Sequence, residues 1–184
     1  MNTIYNTIQF EASAEATQLR FDRARNSKLV MNGNRVLKTA KPGQIERELD
    51  MLTQAKAAGI NVPHAKEVDP RTLSLQFVPN GQTLFDYINH KKLNKALLNK
   101  VIVELKKFWA AGFVHGDLHM NNVLINEVTQ EVYIIDLASS FNEGILEAVF
   151  GADPENAKEV KKGQADDLAA FKRSFKEAQA VAKV

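Results

Sequence analysis

Residues 115–122, HGDLHMNN, place two histidines, an aspartate and two asparagines in one short segment between apolar runs. The flanking runs, FWAAGFV before the segment and VLI after it, are typical of buried secondary structure. A turn between two buried elements needs only a glycine or one short polar side chain. Because this segment carries much more polar chemistry than a turn requires, it is the first place to expect a functional site. We call it the HGD loop.

Asp117 and Asn122 of the HGD loop are followed further along the chain by Asp136, which ends the apolar run YII. Two carboxylates and an amide oxygen form a set of hard oxygen ligands, which suits Mg²⁺ that carries phosphates. Zinc would require more nitrogen or sulfur ligands, and the sequence contains no cysteine. His115 and His119 could act as metal ligands, but a histidine beside a catalytic turn more often braces the backbone. The sequence therefore predicts a magnesium–phosphate site.

The amino-terminal part of the chain predicts a small β-rich unit with one helix. Two β-prone runs are separated by the tight-turn pair Gly33-Asn34, and a later apolar run has the same character. Ile45, Leu49 and Leu52 recur at helical spacing and define the buried face of the helix. In chain order, the predicted elements are strands at 28–32 and 35–40, a helix at 44–59, a strand at 72–78 and a turn at 79–82.

The remainder of the chain predicts a mainly helical unit with a β-hairpin after the HGD loop. Helices are predicted at 83–90, 95–112, 143–151 and 165–184, and hairpin strands at 122–126 and 131–139. The buried face of the second helix is predicted to pass through Leu98, Ile102, Leu105 and Trp109. The predicted fold class is α+β. It forms one domain, with an amino-terminal lobe at about 19–78 and a truncated helical lobe at about 83–184.

The sequence H-G-D-L-H-M-N-N-V-L-I, followed by Y-I-I-D-L-A, resembles the catalytic loop and metal-binding segment of the protein-kinase-like superfamily. The H-G-D form is similar to that of RIO-type kinases, the small kinase of the KEOPS complex and aminoglycoside phosphotransferases. The resemblance implies a minimal bilobal kinase-like fold. It implies that Asp117 is the catalytic base that receives the substrate hydroxyl proton, and that Asn122 and Asp136 hold Mg²⁺ on the phosphates of ATP.

The resemblance also implies a lysine on an early strand and a glutamate on the next helix that holds it. Lys38, in the run VLK, is the lysine and would pair the α- and β-phosphates. Glu46 and Glu48 are the two candidates for the glutamate. On a helix, Glu48 lies about 60° from the direction of the inward-facing Ile45, whereas Glu46 lies about 100° away on the other side. Glu48 is therefore predicted to hold Lys38.

Three further positions take roles from the resemblance. The backbone from Gln76 to Val78 is similar to a kinase hinge and would hydrogen-bond adenine. Asp167 is similar to an aspartate that clamps the catalytic-loop backbone in small atypical kinases, although an acid near a helix amino terminus explains it equally well. His119 takes the place of a lysine found in ordinary serine/threonine kinases and could contact the γ-phosphate.

The chain departs from the usual kinase pattern at three points. It has no glycine-rich phosphate loop, so Arg23, Arg25 and Ser27 would contact phosphate instead, or the site would stay open. Asp136 is followed by Leu-Ala rather than Phe-Gly, and no A-P-E segment follows it. These departures predict a minimal kinase that is either constitutively active or activated by a partner that completes the lobe.

Three functions are compatible with these residues. The favoured one is a serine/threonine kinase that transfers the γ-phosphate of ATP to a protein, because the predicted acidic set is complete. Its small size and polar amino terminus resemble the minimal kinases that bacteria export into host cells, such as the HopBF family, which targets a host chaperone. The alternatives are a small-molecule phosphotransferase of the aminoglycoside type and a non-catalytic binding module with a kinase fold.

Charge and hydropathy restrict the other partners. The formal net charge is only +2, so overall electrostatics gives no reason to expect nucleic-acid binding. No apolar run is long enough to span a membrane, and the first residues lack the basic and apolar regions of a secretory signal. The sequence therefore predicts no nucleic-acid or membrane partner, and a cytoplasmic location or export into a host cell.

Overall fold

The structure is a computed structural model that describes residues 27–90 and 93–181. These residues form the α+β arrangement that the sequence predicted, with a small antiparallel sheet followed by a mainly helical part. Arg23 and Arg25, which were predicted as phosphate contacts, lie outside the described residues, as does the start of the predicted amino-terminal lobe.

The first sheet contains four antiparallel strands in the order β1-β2-β4-β3, with one helix beside it. Its middle strand β2 carries Lys38, which lies opposite Leu73 of β4 and is buried. Strand β3 was not predicted, because its sequence AKEVD is charged and mostly exposed at the edge of the sheet. The elements are β1 (Lys28–Asn32), β2 (Arg35–Thr39), α1 (Pro42–Ala57), β3 (Ala65–Asp69) and β4 (Thr72–Gln76).

The second sheet contains three antiparallel strands and is surrounded by helices. Its first strand falls where the sequence predicted only a turn, and its last two form the predicted hairpin. The strands are β5 (Gly81–Thr83), β6 (Val123–Asn126) and β7 (Val132–Ile134). The helices are α2 (Leu84–His90), α3 (Lys95–Ala110), α4 (Glu143–Phe150) and α5 (Pro154–Val181). One continuous apolar core includes Leu73 of the first sheet and Ile134 of the second.

Of the predicted buried face of α3, Leu105 is confirmed and the rest is displaced by about one residue. Ile102 is 38% exposed, and Leu98 and Trp109 are only half-buried. The residues that α3 buries are Leu97, Val101, Glu104, Leu105 and Phe108. Apolar residues stand side by side along this helix, so the periodicity fits two neighbouring faces and the packing partners select one of them.

Helix α5 begins at Pro154, well before the predicted start at 165. The start is marked by Asp153, whose carboxylate accepts a hydrogen bond from the Glu155 amide at 2.8 Å, and by a proline in the first turn. Gly163, a poor helix former just before the predicted start, lies inside the helix. A Cβ there would come within 2.7 Å of the Val114 side chain, so glycine permits close packing of α5. None of the helices in the described ranges has the length and apolar composition needed to cross a membrane.

Candidate active site

The HGD loop begins where the chain leaves α3 and pairs briefly with a later segment. Val114 and Phe141 exchange two backbone hydrogen bonds, of 2.8 and 3.0 Å. Gly116 has φ +77°, and a Cβ there would lie 2.6 Å from the carbonyl oxygen of Ser139. Both the left-handed backbone and the close approach require glycine. The arginine of the usual H-R-D sequence would not fit, which gives the H-G-D form of this loop a steric cause.

His115 braces the loop from inside and is fully buried. Its Nε2 lies 3.0 Å from the Ile135 carbonyl oxygen, and its Nδ1 accepts a hydrogen bond from the Asp117 amide at 3.3 Å. A carbonyl can only accept, so these partners specify a neutral ring with its proton on Nε2. Burial lowers the pKa of His115, which also favours the neutral ring. His115 therefore shapes the backbone, as the sequence predicted.

Asp167 of α5 fixes the first two backbone amides of the loop. Its carboxylate accepts hydrogen bonds from the His115 amide at 2.7 Å and from the Gly116 amide at 3.0 Å, with Trp109 Nε1 at 3.4 Å. Burial raises the pKa of Asp167, and these N–H donors partly offset that rise. Because Asp167 lies in the interior of the long helix α5, the alternative of an acid near a helix amino terminus was wrong.

Asn122 is oriented by the same residue that carries the predicted base. Its Nδ2 donates to the Asp117 carbonyl oxygen at 2.9 Å, which leaves its amide oxygen as the group that can bind a cation. Asn122 is buried, whereas the Asp117 side chain is 41% exposed. His119 stands beside both, with Nε2 3.8 Å from Asp117 Oδ2 and 3.3 Å from Asn122 Nδ2. The structure thus brings the predicted base, one predicted metal ligand and the predicted phosphate contact together.

Asp136 is placed next to Asn122 by the residue that precedes it. The Ile135 amide donates to the Asn122 carbonyl oxygen at 3.0 Å, and the Ile135 carbonyl is the partner of His115. Asp136 itself has φ 61° and ψ 59°, in the left-handed region. Few residues other than glycine adopt this conformation, although aspartate is among those that tolerate it. The backbone is therefore strained at the residue that is predicted to bind metal.

Lys38, Glu48 and Asp136 form a group that we call the ion triad. Lys38 Nζ lies 2.9 and 2.7 Å from the two carboxylate oxygens of Glu48 and 2.7 Å from Asp136 Oδ1. The Lys38 and Glu48 side chains are buried, and that of Asp136 is 29% exposed. Glu46, the other candidate, is exposed. The ion triad therefore links the first sheet and α1 to the segment after β7.

The ion triad keeps its lysine charged. Burial by itself would lower the pKa of Lys38, but the two carboxylates outweigh it and raise that pKa above its ordinary value. Burial raises the pKa of the Glu48 carboxyl, and the ammonium of Lys38 acts in the opposite direction. At neutral pH, Lys38 is therefore an ammonium group.

The backbone amides of the predicted hinge differ in whether they already donate within the fold. Its amide donates to the His64 carbonyl oxygen at 2.7 Å, and the Phe77 amide donates to the Asn34 carbonyl oxygen at 3.2 Å. Both amides are already used by the first sheet, because β4 has a partner on each side. Val78 is buried, and its carbonyl accepts from the Gly81 amide at 3.0 Å. Of the three amides, that of Val78 has no backbone acceptor among the described residues, and the adenine contact of this segment stays a prediction.

The metal-binding prediction fits the ligand chemistry of Asn122 and Asp136. Across the described residues, no group of three or more histidine or acidic side chains could hold a metal ion alone. Mg²⁺ bound with a nucleotide takes only one or two carboxylates from the protein, because phosphates and water supply the rest. A carboxylate and an amide oxygen on adjacent backbone segments therefore suit a cation that arrives with ATP.

Sequence reasoning missed several residues that support the site from behind. Gln164 Nε2 donates to the carbonyl oxygens of Trp109 at 2.8 Å and Phe113 at 3.2 Å, at the end of α3. Ser140 Oγ donates to the His115 carbonyl oxygen at 3.2 Å. Neither residue belongs to a motif, and the predicted helix began at 165, just past Gln164. The Asp-Pro pair before α5 was the available signal for the longer helix.

The arrangement of these residues defines the class of protein. A lysine on a small antiparallel sheet is held by a glutamate on the adjacent helix and faces a loop with an aspartate and an asparagine. This is the protein-kinase-like fold. A solved structure of WbdD has the same fold, with a TM-score of 0.53 and 17% sequence identity, over 71% of this chain and 35% of that one.

The family follows from the sequence match. The family model of the RIO domain matches residues 5–148, which is most of the chain. The chain therefore belongs to the RIO domain family. This confirms the resemblance that the H-G-D sequence indicated.

Three curated relatives show how varied the matching proteins are. The KEOPS complex subunit Bud32 of Pyrococcus abyssi is 32% identical over 114 residues, covering 55% of this chain and 47% of that protein. The 3-deoxy-D-manno-octulosonic acid kinase of Vibrio vulnificus is 28% identical over 123 residues, covering 62% and 50%. Serine/threonine-protein kinase 1 of African swine fever virus is 29% identical over 72 residues, covering 37% and 24%. The matched region thus spans about half of the first two relatives and a quarter of the third.

Proposed function

We propose that this chain transfers the γ-phosphate of Mg·ATP to the hydroxyl group of a serine or threonine in a protein. The observation that carries the proposal is the meeting of the ion triad and the HGD loop, through Asp136 and Asn122, at one place. Family membership and the kinase relatives support phosphotransfer. The acceptor, the metal and the residue roles that follow are parts of the proposal.

Nucleotide binding would redistribute the contacts of the ion triad. Asp136 and Asn122 would hold Mg²⁺, which when bound neutralises charge on the phosphate oxygens. Lys38, held by Glu48, would turn its ammonium from Asp136 toward the α- and β-phosphates. The amide of Val78 would donate to adenine. His119 would contact the γ-phosphate, and Ser27 is the one residue of the expected phosphate-binding segment that the structure describes.

The transfer step uses Asp117 as the base. The acceptor hydroxyl oxygen forms a bond to the γ-phosphorus while the bond between that phosphorus and the bridging oxygen breaks, and ADP leaves. The hydroxyl proton passes to the Asp117 carboxylate. Catalysis of this kind comes mostly from positioning and charge stabilisation. The rigid support of the HGD loop by His115 and Asp167 suits that requirement.

A protein acceptor is supported by the exposure of the site and its surroundings. The Asp117 carboxylate is 41% exposed, so a bulky acceptor can approach it. Helix α4, which follows Asp136 closely in the chain, exposes Val149 at 65% and Phe150 at 74%. These two neighbouring apolar side chains would be covered if a polypeptide acceptor bound beside them. The viral relative, a serine/threonine-protein kinase by name, supports the same acceptor.

A second candidate is a kinase for a small sugar hydroxyl. The observation that favours it is the match to the 3-deoxy-D-manno-octulosonic acid kinase, which covers more of this chain than the match to the viral protein kinase. The same base, metal ligands and lysine would serve this reaction. Only the acceptor would differ.

The location, the target and the activation mode complete the proposal. A cytoplasmic location, or export into a host cell with a host protein such as a chaperone as target, rests on the resemblance to HopBF-type kinases. An activating partner that completes the lobe remains part of the proposal. The exposed apolar residues of α4 are where such a partner would bind.

The experiment is a transfer assay with the purified chain, Mg²⁺ and γ-labelled ATP. One set of reactions contains cell-lysate proteins, and the other contains 3-deoxy-D-manno-octulosonic acid. We expect label on protein serine or threonine. Asp117→Asn should lower the transfer rate by about 10²–10⁴-fold, because it removes the general base. Its free energy of unfolding should change by less than about 0.5 kcal/mol, because the side chain is partly exposed.

Asp166→Asn is the matched control, since Asp166 is an exposed aspartate on α5 and should keep full activity. Label on 3-deoxy-D-manno-octulosonic acid alone would show that the acceptor is this sugar and not a protein serine or threonine. Transfer that survives Asp117→Asn would remove the assigned base. Absence of label in both sets, with no rise in melting temperature on adding Mg·ATP, would leave a non-catalytic module.

A further inference from the structure

The segment after the metal-binding aspartate, residues 139–142, lies between α1 and the HGD loop, and we call it the strap. On the loop side, Ser140 Oγ donates to the His115 carbonyl oxygen, and Phe141 pairs with Val114. The Ser139 carbonyl oxygen fills the space that a side chain at Gly116 would need. These contacts fix the strap to the catalytic loop.

On its other side the strap is bonded to α1 at two points. Arg47 Nη2 donates to the Ser140 carbonyl oxygen at 3.2 Å. Asn142 Nδ2 donates to Gln54 Oε1 at 2.7 Å. Arg47 immediately precedes Glu48, and Gln54 lies nearly two turns further along the helix. The two bonds therefore fix both the position and the rotation of the helix that carries Glu48.

The bond between Gln54 and Asn142 is oriented by second partners on each side. Asn142 Oδ1 accepts from the Ile145 amide at 3.0 Å and so caps α4, which directs its Nδ2 toward Gln54. Gln54 Nε2 donates to Asp50 Oδ2 at 2.8 Å, which leaves its Oε1 to accept. In each side-chain amide, one of the two polar atoms bonds to its own helix. The other forms the bridge, which is the hydrogen bond between Asn142 and Gln54.

We infer that Arg47, Gln54 and Asn142 are positioning residues, which hold α1 against the strap and thereby keep Glu48 on Lys38. We call the hydrogen bonds from Arg47 to Ser140 and from Asn142 to Gln54 the lock. The lock consists of unmodified side chains and backbone of this chain. The placement of Glu48 on Lys38 is then supported by contacts within this chain. The kinetic consequence rests on the proposed function, but the structural consequence does not.

The lock is tested with carboxylates in place of the two amides. In Gln54→Glu, the carboxylate still accepts from Asn142 Nδ2. In Asn142→Asp, the carboxylate still caps α4 and can accept from Gln54 Nε2 if that amide rotates. Only the double variant places two carboxylates face to face between α1 and the strap, which removes the bridge and adds repulsion there. Gln54→Glu also sets a carboxylate beside Asp50 within α1, so this single variant is the reference for that second repulsion. Gln54→Lys combined with Asn142→Asp is the rescue, because it restores an attractive pair.

The first readout is hydrogen exchange of the α1 amides at 45–52, which does not depend on activity. We expect about tenfold faster exchange in the double carboxylate variant than in either single variant, and a return toward wild type in the rescue. Exchange in α3 serves as the internal reference. Equal α1 exchange in the double and single variants would overturn the lock.

The second readout is transfer kinetics. We expect kcat to fall about tenfold in the double variant with an unchanged KM for the acceptor, since the change acts on Lys38 and not on acceptor binding. If the double variant shows faster α1 exchange but the wild-type chain transfers no phosphate, the proposed function is refuted and the lock is kept. Reduced transfer without faster α1 exchange would refute the lock and keep the proposed function.

Discussion

The HGD loop and the ion triad serve the same proposed reaction, but they are positioned by opposite means. The loop is held by hydrogen bonds to its backbone, from Asp167 on one side and from the neutral ring of His115 on the other. The ion triad is held by charge, with the ammonium of Lys38 within 2.9 Å of three carboxylate oxygens.

This difference distinguishes a loop that must stay fixed during the proposed reaction from an ion triad whose contacts must change. Hydrogen bonds to buried backbone groups are costly to break, so they hold the loop, with the proposed base Asp117, in one place whether or not a ligand is bound. A buried ion group carries a desolvation penalty that its own attraction does not always exceed. In the proposed reaction, the ion triad is therefore the part whose contacts change when phosphates and metal bind, and the loop is the part that stays rigid.

The largest effect should come from removing the lysine of the ion triad. Lys38→Met leaves Glu48 buried without its counter-charge, and we expect a loss of about 3–5 kcal/mol in the free energy of unfolding. Adding Glu48→Leu should recover most of that stability, because an apolar pair needs no solvation, while phosphotransfer stays absent. Urea unfolding and the transfer assay measure the two quantities.

Lys66→Met, at an exposed lysine of β3, is the control for the change of side chain. Recovery of activity in the double variant would show that the buried charges are not needed for the reaction. A double variant as unstable as Lys38→Met would show that the ion triad stabilises the fold after all.

A smaller effect should come from the loop backbone. Gly116→Ala forces a left-handed conformation on a residue with a Cβ, which costs about 1–2 kcal/mol, and the contact with the Ser139 carbonyl adds to this. We expect a matching loss in the free energy of unfolding and a fall in kcat as the loop shifts. Gly33→Ala is the control, since Gly33 also has a positive φ but its Cβ would meet nothing within 4 Å. Equal losses in the two variants would show that the Ser139 contact is unimportant.

The smallest effect should be a pH dependence that distinguishes the loop from the ion triad. Burial places the folded-state pKa of His115 below the ordinary value of 6.5, so the unfolded chain takes up the proton more readily. His115 therefore contributes stability above about pH 6.5 that is lost as the pH falls through its lowered pKa. We expect its imidazole NMR signals to remain those of a neutral ring below pH 6.5, with exposed His64 and His90 as internal comparisons. A signal that titrates at or above 6.5 would contradict the neutral brace.

The sequence predicted the site better than the architecture around it. The HGD loop, Asp136 and the choice of Glu48 over Glu46 could be identified because each depends on local order or on the period of one helix. The bond from the Gln76 amide to the His64 carbonyl could not be predicted, since it depends on β3, an edge strand without an apolar pattern. The buried face of α3 depends on which neighbours it meets, and no local period contains that information.

The missed start of α5 has a physical explanation of the same kind. Gly163 normally favours the end of a helix over its interior. Here the requirement for close packing against Val114 outweighs that preference. Long-range contacts therefore determine the elements that were predicted wrongly, and short-range patterns determine those that were predicted correctly.

The long carboxy-terminal helix has a practical consequence for choosing where to cut the chain. The RIO domain match ends at residue 148, before α5 begins, yet Asp167 of that helix holds the backbone of the HGD loop, and Gln164 holds the end of α3 that leads into it. An expression fragment trimmed to the matched region would keep every motif residue and lose the groups that position them. Fragments for crystallisation, labelling or screening should therefore extend through residue 181, since the family boundary and the physical boundary of this site do not coincide.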